Sequence, residues 1–168
     1  MTVDEEMELT GPLTLSLSFS ANEIDSYVVA RTGRVSTTGT YQILSMGAIR
    51  PACRTIDAAR STATEIAIDI DIDQPEPLAP GVSVTLRFSL TPRPAVLKRG
   101  ELLRLEIASR TDLLRSDVSH GHAQFDMQVP PYFSRNTVHY GPDTYLELRR
   151  VVSGRTVTVT RSDTCGAL

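Results

Sequence analysis

Apolar and polar residues alternate strictly from Val82 to Thr91, where every second position holds valine, leucine or phenylalanine. This period of two predicts a half-buried β-strand. Leu103–Ile107 repeats the alternation, and Pro92 and Pro94 end the first strand because proline donates no ladder hydrogen bond. Gly100 supplies a turn before the second strand. Two long strands with apolar faces need a covering layer, so we predict a sandwich organised around this pair.

Similar patterns predict further strands. Leucine and phenylalanine alternate with serine and threonine over residues 8–20, and the small hydroxyl face indicates a tightly covered or lightly solvated sheet surface. Tyr27–Arg31 is apolar on both faces, which favours a central position in its sheet. The other predicted strands are Tyr41–Arg50, Thr64–Asp73, Thr137–Tyr140, Thr144–Arg150 and a last one that includes Val157 and Val159.

Turn-forming residues separate these strands. Thr32–Arg34 predicts the start of a turn, and Gly141–Asp143 predicts another. Thr55–Ala63 is the best place for a short helix, although a loop that crosses the sandwich fits it equally well. Met1–Met7 is an acidic lead-in. About seven to nine strands punctuated by glycine and proline predict an all-β fold, an antiparallel β-sandwich with jelly-roll winding.

Composition and charge argue against some classes of function for this chain, namely nucleic-acid binding and membrane association. The chain has 168 residues and a formal net charge of −3, which suits a single domain over residues 1–168. No basic stripe or aromatic cluster stands out, so we expect no nucleic-acid partner. We also expect no membrane partner and a cytoplasmic location, because no apolar run reaches spanning length and the acidic first residues do not form a signal peptide.

The two cysteines, Cys53 and Cys165, are too few for a disulfide framework and lack Cys-x-x-Cys spacing. Two free or half-buried thiols are the favoured interpretation. One bridge that ties the tail to the body is the alternative. A domain of this size buries about 70% of its unfolded surface, so it needs neither a disulfide nor a metal for stability.

Catalytic residues are not predicted in this chain. It has no Gly-x-Ser-x-Gly nucleophile elbow and no alternation of strands with helices to carry one. Ser119, His120 and Asp117 are the nearest candidates for a triad built from distant loops, since triads are defined by geometry. These residue types are common in solvated loops, and a polar loop is the favoured interpretation.

Two histidines raise the question of a metal site. His120 and His122 could chelate Zn²⁺ together with His139 or Asp126 as a third ligand. Their spacing matches no zinc signature. Ordinary loop histidines that form hydrogen bonds or line an interface are therefore favoured.

Asp69, Asp71 and Asp73 resemble the start of a calcium-binding loop. An EF-hand needs glycine at its sixth position and glutamate at its twelfth, where this chain has Gln74 and Pro80. The isoleucines between the acids indicate a strand with a solvated acidic face. We predict no metal site and no cofactor.

The longest irregular stretch, residues 110–136, contains Pro130, Pro131, Tyr132 and Phe133. Loops this long in a compact domain usually carry function or an interface. The four residues either form a local lid on the core or anchor the chain on a second domain, because aromatic residues are enriched at interfaces.

The order of short motifs along the chain resembles a known family. These motifs are Glu8–Pro12, Ile24–Val29, Gly47–Arg50, Leu78–Gly81, Pro92–Ile107, Arg135–Gly141 and Tyr145–Leu148. In this order they resemble the C-terminal domain of the X-Pro dipeptidyl-peptidase, cocaine esterase and α-amino acid ester hydrolase family of serine hydrolases. The resemblance covers about residues 8–152 and leaves 153–168 as a last strand and tail. Arg149 stands where the family's closing strand usually has proline, which leaves the course of that strand open.

The resemblance implies a galactose-binding-like jelly roll without catalytic residues. In such enzymes the domain packs on an α/β-hydrolase domain and a helical cap, and it often contributes to contacts between identical subunits. The expected partners are therefore the α/β-hydrolase and cap domains of a parent enzyme, and a further copy in a homo-oligomer. The interface candidates in this chain are Pro130, Pro131, Tyr132, Phe133, His120, His122, His139 and Tyr140.

Two alternatives remain. A free-standing carbohydrate-binding jelly-roll module would need exposed aromatic platforms, and the chain has no tryptophan, five tyrosines and four phenylalanines. A metal-dependent enzyme would use the histidines described above.

Overall fold

The computed structural model describes residues 1–69, 74–91, 93–109, 134–152 and 156–162. Ten strands lie in this part of the chain, and every pairing between them is antiparallel. They form two sheets, so the predicted antiparallel β-sandwich is confirmed. Jelly-roll winding and the galactose-binding-like relationship stay predictions.

The larger sheet has the order β5-β2-β9-β1-β6, with β8 also paired to β2 and β10 also paired to β9. Its strands are β1 (Met7–Leu9), β2 (Leu13–Ala21), β5 (Val84–Leu90), β6 (Ala95–Leu97), β8 (Asn136–His139), β9 (Tyr145–Val152) and β10 (Thr156–Ser162). The smaller sheet has the order β4-β3-β7. Its strands are β3 (Val28–Val35), β4 (Tyr41–Ile49) and β7 (Leu102–Ala108).

The core lies between the apolar faces of the two sheets. Leucine and phenylalanine of β2 and β5 fill its centre, and β9 adds two leucines. From the smaller sheet, Val28, Ala30, Leu44, Ile49 and Leu103 complete it. The largest fully buried side chains include Leu15, Leu17, Phe19, Leu86, Phe88, Leu90, Leu97 and Leu148. The alternation seen in the sequence is therefore the alternation between this core and the outer sheet surfaces.

The two strands predicted to form the organising pair lie in different sheets, so that part of the prediction is wrong. β5 pairs with β2 in the larger sheet, whereas β7 pairs with β3 in the smaller one. A short strand that the sequence did not reveal, β6, lies between them in the chain and pairs with β1. Alternation indicates which face of a strand is apolar, but the partner of a strand depends on residues far away in sequence.

The central position predicted for the strand around Val29 is confirmed, because β3 lies between β4 and β7. The turn predicted at Thr32–Arg34 is wrong, since β3 continues through these residues to Val35. A β-bulge interrupts its register with β4 between Thr32 and Gly33. Gly33 therefore lies within a strand, beside this irregularity, and not in a chain reversal.

The segment between β4 and β5 also differs from expectation. Pro51–Cys53 forms a short 3₁₀ helix. Thr55–Ala63 contains one residue of an isolated bridge, Ile56, and a turn in which Asp57 Oδ1 accepts hydrogen bonds from the backbone N–H groups of Ala59 and Arg60. The crossing-loop alternative fits better than the helix. Of the predicted strand Thr64–Asp73, residues 64–69 form only an isolated bridge between Ile56 and Ile68, and residues 70–73 lie outside the described residues.

Residues 64–69 do not form a strand, because their backbone N–H groups donate hydrogen bonds to several unrelated acceptors nearby. The Ile66 N–H donates to Ser89 Oγ at 2.8 Å, and the Ala67 N–H donates to Ser61 Oγ at 3.0 Å. The Asp69 N–H donates to the Thr55 carbonyl at 2.8 Å. Backbone N–H groups that donate to such separate acceptors are not available for the regular hydrogen bonds between paired strands.

The other strand and turn predictions near the C-terminal end are confirmed. β8, the turn at Gly141–Asp143, β9 and β10 follow one another in the chain. The course of the closing strand is also settled, because β9 continues through Arg149 and pairs with both β1 and β10. The acidic lead-in belongs to the fold as well, since Val3 is buried and its N–H donates to the Glu101 carbonyl.

No helix within the described ranges is long and apolar enough to cross a membrane. Cys53 is a half-buried free thiol, in line with the favoured interpretation, and Cys165 lies outside the described residues.

Two buried hydroxyls that face each other across β3 and β4 allow a matched test of the core. Thr32 is completely buried, and its Oγ1 has no hydrogen-bond partner among the described residues. Its cross-strand neighbour Ser45 donates to the Thr91 carbonyl at 2.5 Å. We expect Thr32→Val to raise the free energy of unfolding by about 1 kcal/mol, because valine has nearly the shape of threonine and replaces the unsatisfied buried hydroxyl with a methyl group.

Ser45→Ala is the control, and it should lower the free energy of unfolding by about 1 kcal/mol because a hydrogen bond is lost. Urea unfolding followed by circular dichroism measures both changes. Destabilisation by both variants would contradict the assignment of Thr32 as unsatisfied.

Candidate functional site

The hydroxyl face of β2 holds the connection between β8 and β9. The Ser16 hydroxyl donates to the Asp143 carbonyl at 2.8 Å, and the Ser18 N–H donates to Thr144 Oγ1 at 2.9 Å. Thr144 Oγ1 in turn donates to the His139 carbonyl at 2.6 Å. The small serine side chains of β2 are mostly buried, so the expected tightly covered surface is confirmed.

His139 is one of the predicted interface residues, and the structure places it against β2. Its Nε2 lies 2.8 Å from Ser20 Oγ, a separation that a nucleophile and its general base also show. Ser20 is only 6% exposed, however, so a substrate carbonyl has no approach to its hydroxyl. The contact therefore fastens β8 to β2.

Tyr140 follows His139 and is 74% exposed, the highest fraction among the large apolar and aromatic residues that the structure describes. Of the predicted interface residues that the structure describes, both His139 and Tyr140 are therefore exposed. The other candidates, His120, His122, Pro130, Pro131, Tyr132 and Phe133, lie outside the described residues, as do Asp117, Ser119 and Asp126. An interface role for any of these residues stays a prediction.

A second polar cluster, which the sequence did not reveal, lies on the outer face of the smaller sheet. Val28 and Ala30 of β3 face the core, so Arg31 and Gly33 lie on the opposite face. The antiparallel register sets Arg31 across from Glu106 and Gly33 across from Arg104. Cross-strand neighbours share one face of a sheet. We call Arg31, Gly33, Tyr41, Arg104 and Glu106 the arginine–tyrosine face.

Glu106 is the centre of this face. Its Oε2 accepts a hydrogen bond from the Tyr41 hydroxyl at 3.1 Å and lies 3.4 Å from Arg31 Nε. Its Oε1 lies 3.2 Å from Arg104 Nε. The guanidinium carbon of Arg104 lies 5.7 Å from the centre of the Tyr41 ring, within cation–π distance. One carboxylate thus organises two guanidinium groups and a phenol.

Gly33 makes room for the aromatic ring. A Cβ at this position would overlap Cε2, Cζ and the hydroxyl oxygen of Tyr41, so the ring lies directly over the glycine. The φ of Gly33 is not in the left-handed region. Close approach of the Tyr41 ring, and not backbone conformation, is therefore the reason for glycine here.

Burial raises the pKa of Tyr41 to about 12, and the hydrogen bond and negative charge of Glu106 add to the shift. The positive charges of Arg31 and Arg104 act in the opposite direction. Tyr41 consequently remains a protonated donor to Glu106 at neutral pH. The face is a stable network of charges and hydrogen bonds without an activated nucleophile.

The residue types also limit metal chemistry. Within the ranges that the structure describes, no group of three or more histidine, cysteine, aspartate or glutamate side chains could hold a metal ion. Asp69 lies on the surface, and Asp71 and Asp73 lie outside the described residues. The arginine–tyrosine face has one carboxylate between two cations, which is unfavourable for a bound cation.

The arginine–tyrosine face was missed because each member had an ordinary local interpretation. Arg104 and Glu106 are the polar positions of an alternating strand, and Gly33 in the sequence Thr-Gly-Arg is typical of a turn. Arg31 and Glu106 become neighbours only through the pairing of β3 with β7. A glycine inside an apolar strand pattern was the one available signal, because it often marks close approach of another group.

Comparison with known proteins finds one matching family model and several solved structures with a similar fold. The model of the X-Pro dipeptidyl-peptidase C-terminal non-catalytic domain matches residues 1–145. Two crystal structures of a CocE/NonD family hydrolase from Staphylococcus aureus are similar at 17% and 18% identity, with TM-scores of 0.71 and 0.63. They match 90% and 68% of this chain and 30% and 22% of theirs. No curated protein sequence matches.

An aminopeptidase from a marine sediment archaeon, Thaumarchaeota archaeon, is similar at 14% identity with a TM-score of 0.61. The match covers 90% of this chain and 25% of that chain. At such identities the likeness shows the fold alone. The chain spans less than one third of the length of each of these three structures.

The contact between Gly33 and Tyr41 can be tested by a double-mutant cycle. We expect Gly33→Ala to lower the free energy of unfolding by about 1–3 kcal/mol, because the new methyl group overlaps the ring. In a Tyr41→Ala background the same change should cost clearly less, since the ring is absent. Urea unfolding of the four proteins measures the coupling.

Gly141→Ala is the matched control, because a Cβ there meets nothing within 4 Å. It should change stability by less than about 1 kcal/mol. Equal costs of Gly33→Ala in both backgrounds would show that the ring does not lie over Gly33.

The raised pKa of Tyr41 predicts a separate alkaline transition. Because the folded state retains this proton above the ordinary value of 10.0, the contribution of the network to stability is present below pH 10 and is lost as the pH rises towards about 12. The difference in tyrosinate absorbance between the wild type and Tyr41→Phe should show one group that titrates near pH 12.

Glu106→Gln should lower the pKa of Tyr41 only in part, since burial is the larger cause of the shift. A difference titration centred on pH 10.0 in the wild type would contradict the partly buried, hydrogen-bonded position of the phenol.

Proposed function

The chain belongs to the family of X-Pro dipeptidyl-peptidase C-terminal non-catalytic domains, and from this premise we propose that it braces the active-site domain of a serine hydrolase. The proposed parent is of the X-Pro dipeptidyl-peptidase or acyl esterase type. In this role the domain contacts the α/β-hydrolase and cap domains, and it contributes to contacts between subunits. The nucleophile, general base and acid belong to the α/β-hydrolase domain.

The observation that carries the proposal is the family match over residues 1–145, most of the described sandwich. Two of the three similar structures are hydrolases by name and the third is an aminopeptidase, and each is more than three times as long as the part that matches. A non-catalytic domain beside a catalytic domain would act by holding the walls of the active site in position. Small displacements of an active-site wall change reaction rates strongly, so a stiff support is useful there.

Close packing between the two sheets supports this role. The two sheets share a continuous apolar core, and hydrogen bonds join them where β4 meets β5. There the Thr91 N–H donates to the Met46 carbonyl at 2.9 Å. The backbone of Ser89 and Leu90 approaches Gly47 so closely that a Cβ would lie 2.7 Å from the Ser89 carbonyl oxygen. Close-packed layers of this kind transmit force with little deformation.

The alternative of a carbohydrate-binding module receives less support. Sugar sites need aromatic side chains that offer a flat face to the ligand. Among the aromatic residues that the structure describes, only Tyr140 is more than half exposed. One strongly exposed aromatic ring among the described residues is weak support for a sugar platform.

Two expectations follow from the proposed function, and each can be checked separately. The coding sequence should continue upstream of Met1 into an α/β-hydrolase domain with a Gly-x-Ser-x-Gly elbow. The purified 168-residue chain should release no chromophore from X-Pro or ester substrates, whereas the longer polypeptide should do so. Substrate turnover by the short chain, abolished by a serine-directed inhibitor, would refute the proposal.

A further inference from the structure

The outer edge of β7, which faces away from β3, is paired at its start by the N-terminal segment. The Leu103 N–H donates to the Met1 carbonyl at 2.9 Å, and the N-terminal ammonium group of Met1 donates to the Leu103 carbonyl at 3.0 Å. The Val3 N–H donates to the Glu101 carbonyl at 2.9 Å, and an antiparallel bridge lies between these two contacts. The first three residues therefore lie antiparallel to β7 along this edge.

Farther along the same edge, Leu105 and Ile107 offer open backbone groups. Along a strand, successive residues direct their N–H and carbonyl groups to opposite sides. Leu103 directs them outward, so Leu105 and Ile107 do the same, and the residues between them bond to β3. Within the ranges that the structure describes, no hydrogen bond reaches the backbone of Leu105 or Ile107 from the outer side. Open groups of this kind are a template for a further strand.

The side chains of β7 become more exposed beyond the N-terminal segment. Ala30 belongs to the core and lies opposite Ile107, so Ile107 is on the core-facing side of the smaller sheet. Ile107 is nevertheless 39% exposed, whereas Leu103, which faces the same way beside Met1, is 4% exposed. Leu105 lies between them and is half-buried against the core. The apolar layer is therefore incomplete at the part of the edge that lacks a neighbouring strand.

The chain itself occupies parts of other sheet edges. The Thr91 N–H, directly after β5, donates to the Met46 carbonyl of β4 at 2.9 Å. The Val96 carbonyl of β6 accepts a hydrogen bond from Arg34 Nη1 at 3.3 Å. Native proteins usually cover strand edges, because open edges pair with other chains. The stretch of β7 beyond Leu103 is therefore a place where we expect a further strand.

We propose that the polypeptide that precedes Met1 in the parent enzyme pairs with Leu105 and Ile107, as an additional strand of the smaller sheet. The inference rests on the proposed function, which supplies the preceding polypeptide, and it adds the path by which that polypeptide enters the domain. The direction of the existing pairing carries it. Met1 lies opposite Leu103, and the chain there runs antiparallel to β7. The second residue before Met1 therefore falls opposite Leu105, and the fourth falls opposite Ile107.

The sheet also determines which residue types this strand needs. The second and fourth residues before Met1 lie on the core-facing side with Leu105 and Ile107, so we expect them to be apolar. The first and third lie on the outer side, opposite Arg104 and Glu106, so we expect them to be polar. The coding sequence of the parent checks this alternation, and charged residues at the second and fourth positions would contradict the proposal.

Amide hydrogen exchange, measured by nuclear magnetic resonance, tests the pairing. The 168-residue chain is compared with the same chain extended by the residues, about ten, that precede Met1 in the parent. In the shorter protein the Leu105 and Ile107 amides should exchange as unprotected groups. In the longer protein both should exchange at least about 100-fold more slowly. The Arg104 and Glu106 amides bond to β3 in both proteins, so their protection in both is the internal control.

Proline at single positions of the extension distinguishes pairing from simple attachment. At the second residue before Met1, proline removes the N–H that would donate to the Leu105 carbonyl. Protection of the Leu105 amide should then fall by at least about tenfold. Proline at the first residue before Met1 is the matched control, because the N–H there points away from β7. It should leave that protection within about threefold of the extended protein.

The outcomes distinguish this inference from the proposed function. Unprotected Leu105 and Ile107 amides in the extended protein overturn the pairing and leave the proposed function standing. Protection of these amides in the 168-residue chain overturns it too, because the edge is then already paired. Equal losses with the two proline variants overturn the register and the strand built on it. A coding sequence that does not continue before Met1 contradicts the proposed function itself, and with it the inference.

Discussion

The sandwich depends on β2, whose two faces are both covered. Its leucines and Phe19 pack in the middle of the core. On the other face, the Ser16 hydroxyl bonds to the turn between β8 and β9, and the Ser20 hydroxyl contacts His139 of β8. One edge of the strand pairs with β5, and the other edge pairs with β9 over Thr14–Ser16 and with β8 over Ser18–Ala21. Strands from the middle and the end of the chain are therefore aligned on a strand near its start. Burial of apolar side chains on one side, with small hydroxyls on the other, is what permits this arrangement.

The smaller sheet builds its surface by a different principle. Three strands present Arg31, Tyr41, Arg104 and Glu106 on one face, and the absence of a side chain at Gly33 lets the tyrosine ring lie flat on the sheet. Exposed ion pairs contribute little to stability, so Arg104, whose side chain is 46% exposed, is expected to add less than Arg31, whose side chain is 18% exposed.

Most strands could be predicted from local alternation, because the direction of a side chain in a strand depends only on its own backbone. The alternation over Thr64–Asp73 shows the limit of this reasoning. Residues 64–69 donate hydrogen bonds to Ser61, Ser89 and the Thr55 carbonyl, so a pattern typical of a strand occurs in a loop. Of the predicted interface residues, His139 proved to fasten β8 to β2, and Tyr140 lies exposed beside it. The arginine–tyrosine face had no signature, since its members are spread from Arg31 to Glu106.

The amino-acid sequence by itself determined the all-β class, the apolar faces of β2, β5 and β7, and the family resemblance, all of which follow from residue types at short spacing. Only the tertiary structure decided that β5 and β7 belong to different sheets and that Glu106 meets Arg31, Tyr41 and Arg104. The physical reason is that strand pairing and register minimise the free energy of the whole core. A residue's neighbours across a sheet are therefore set by side chains tens of positions away.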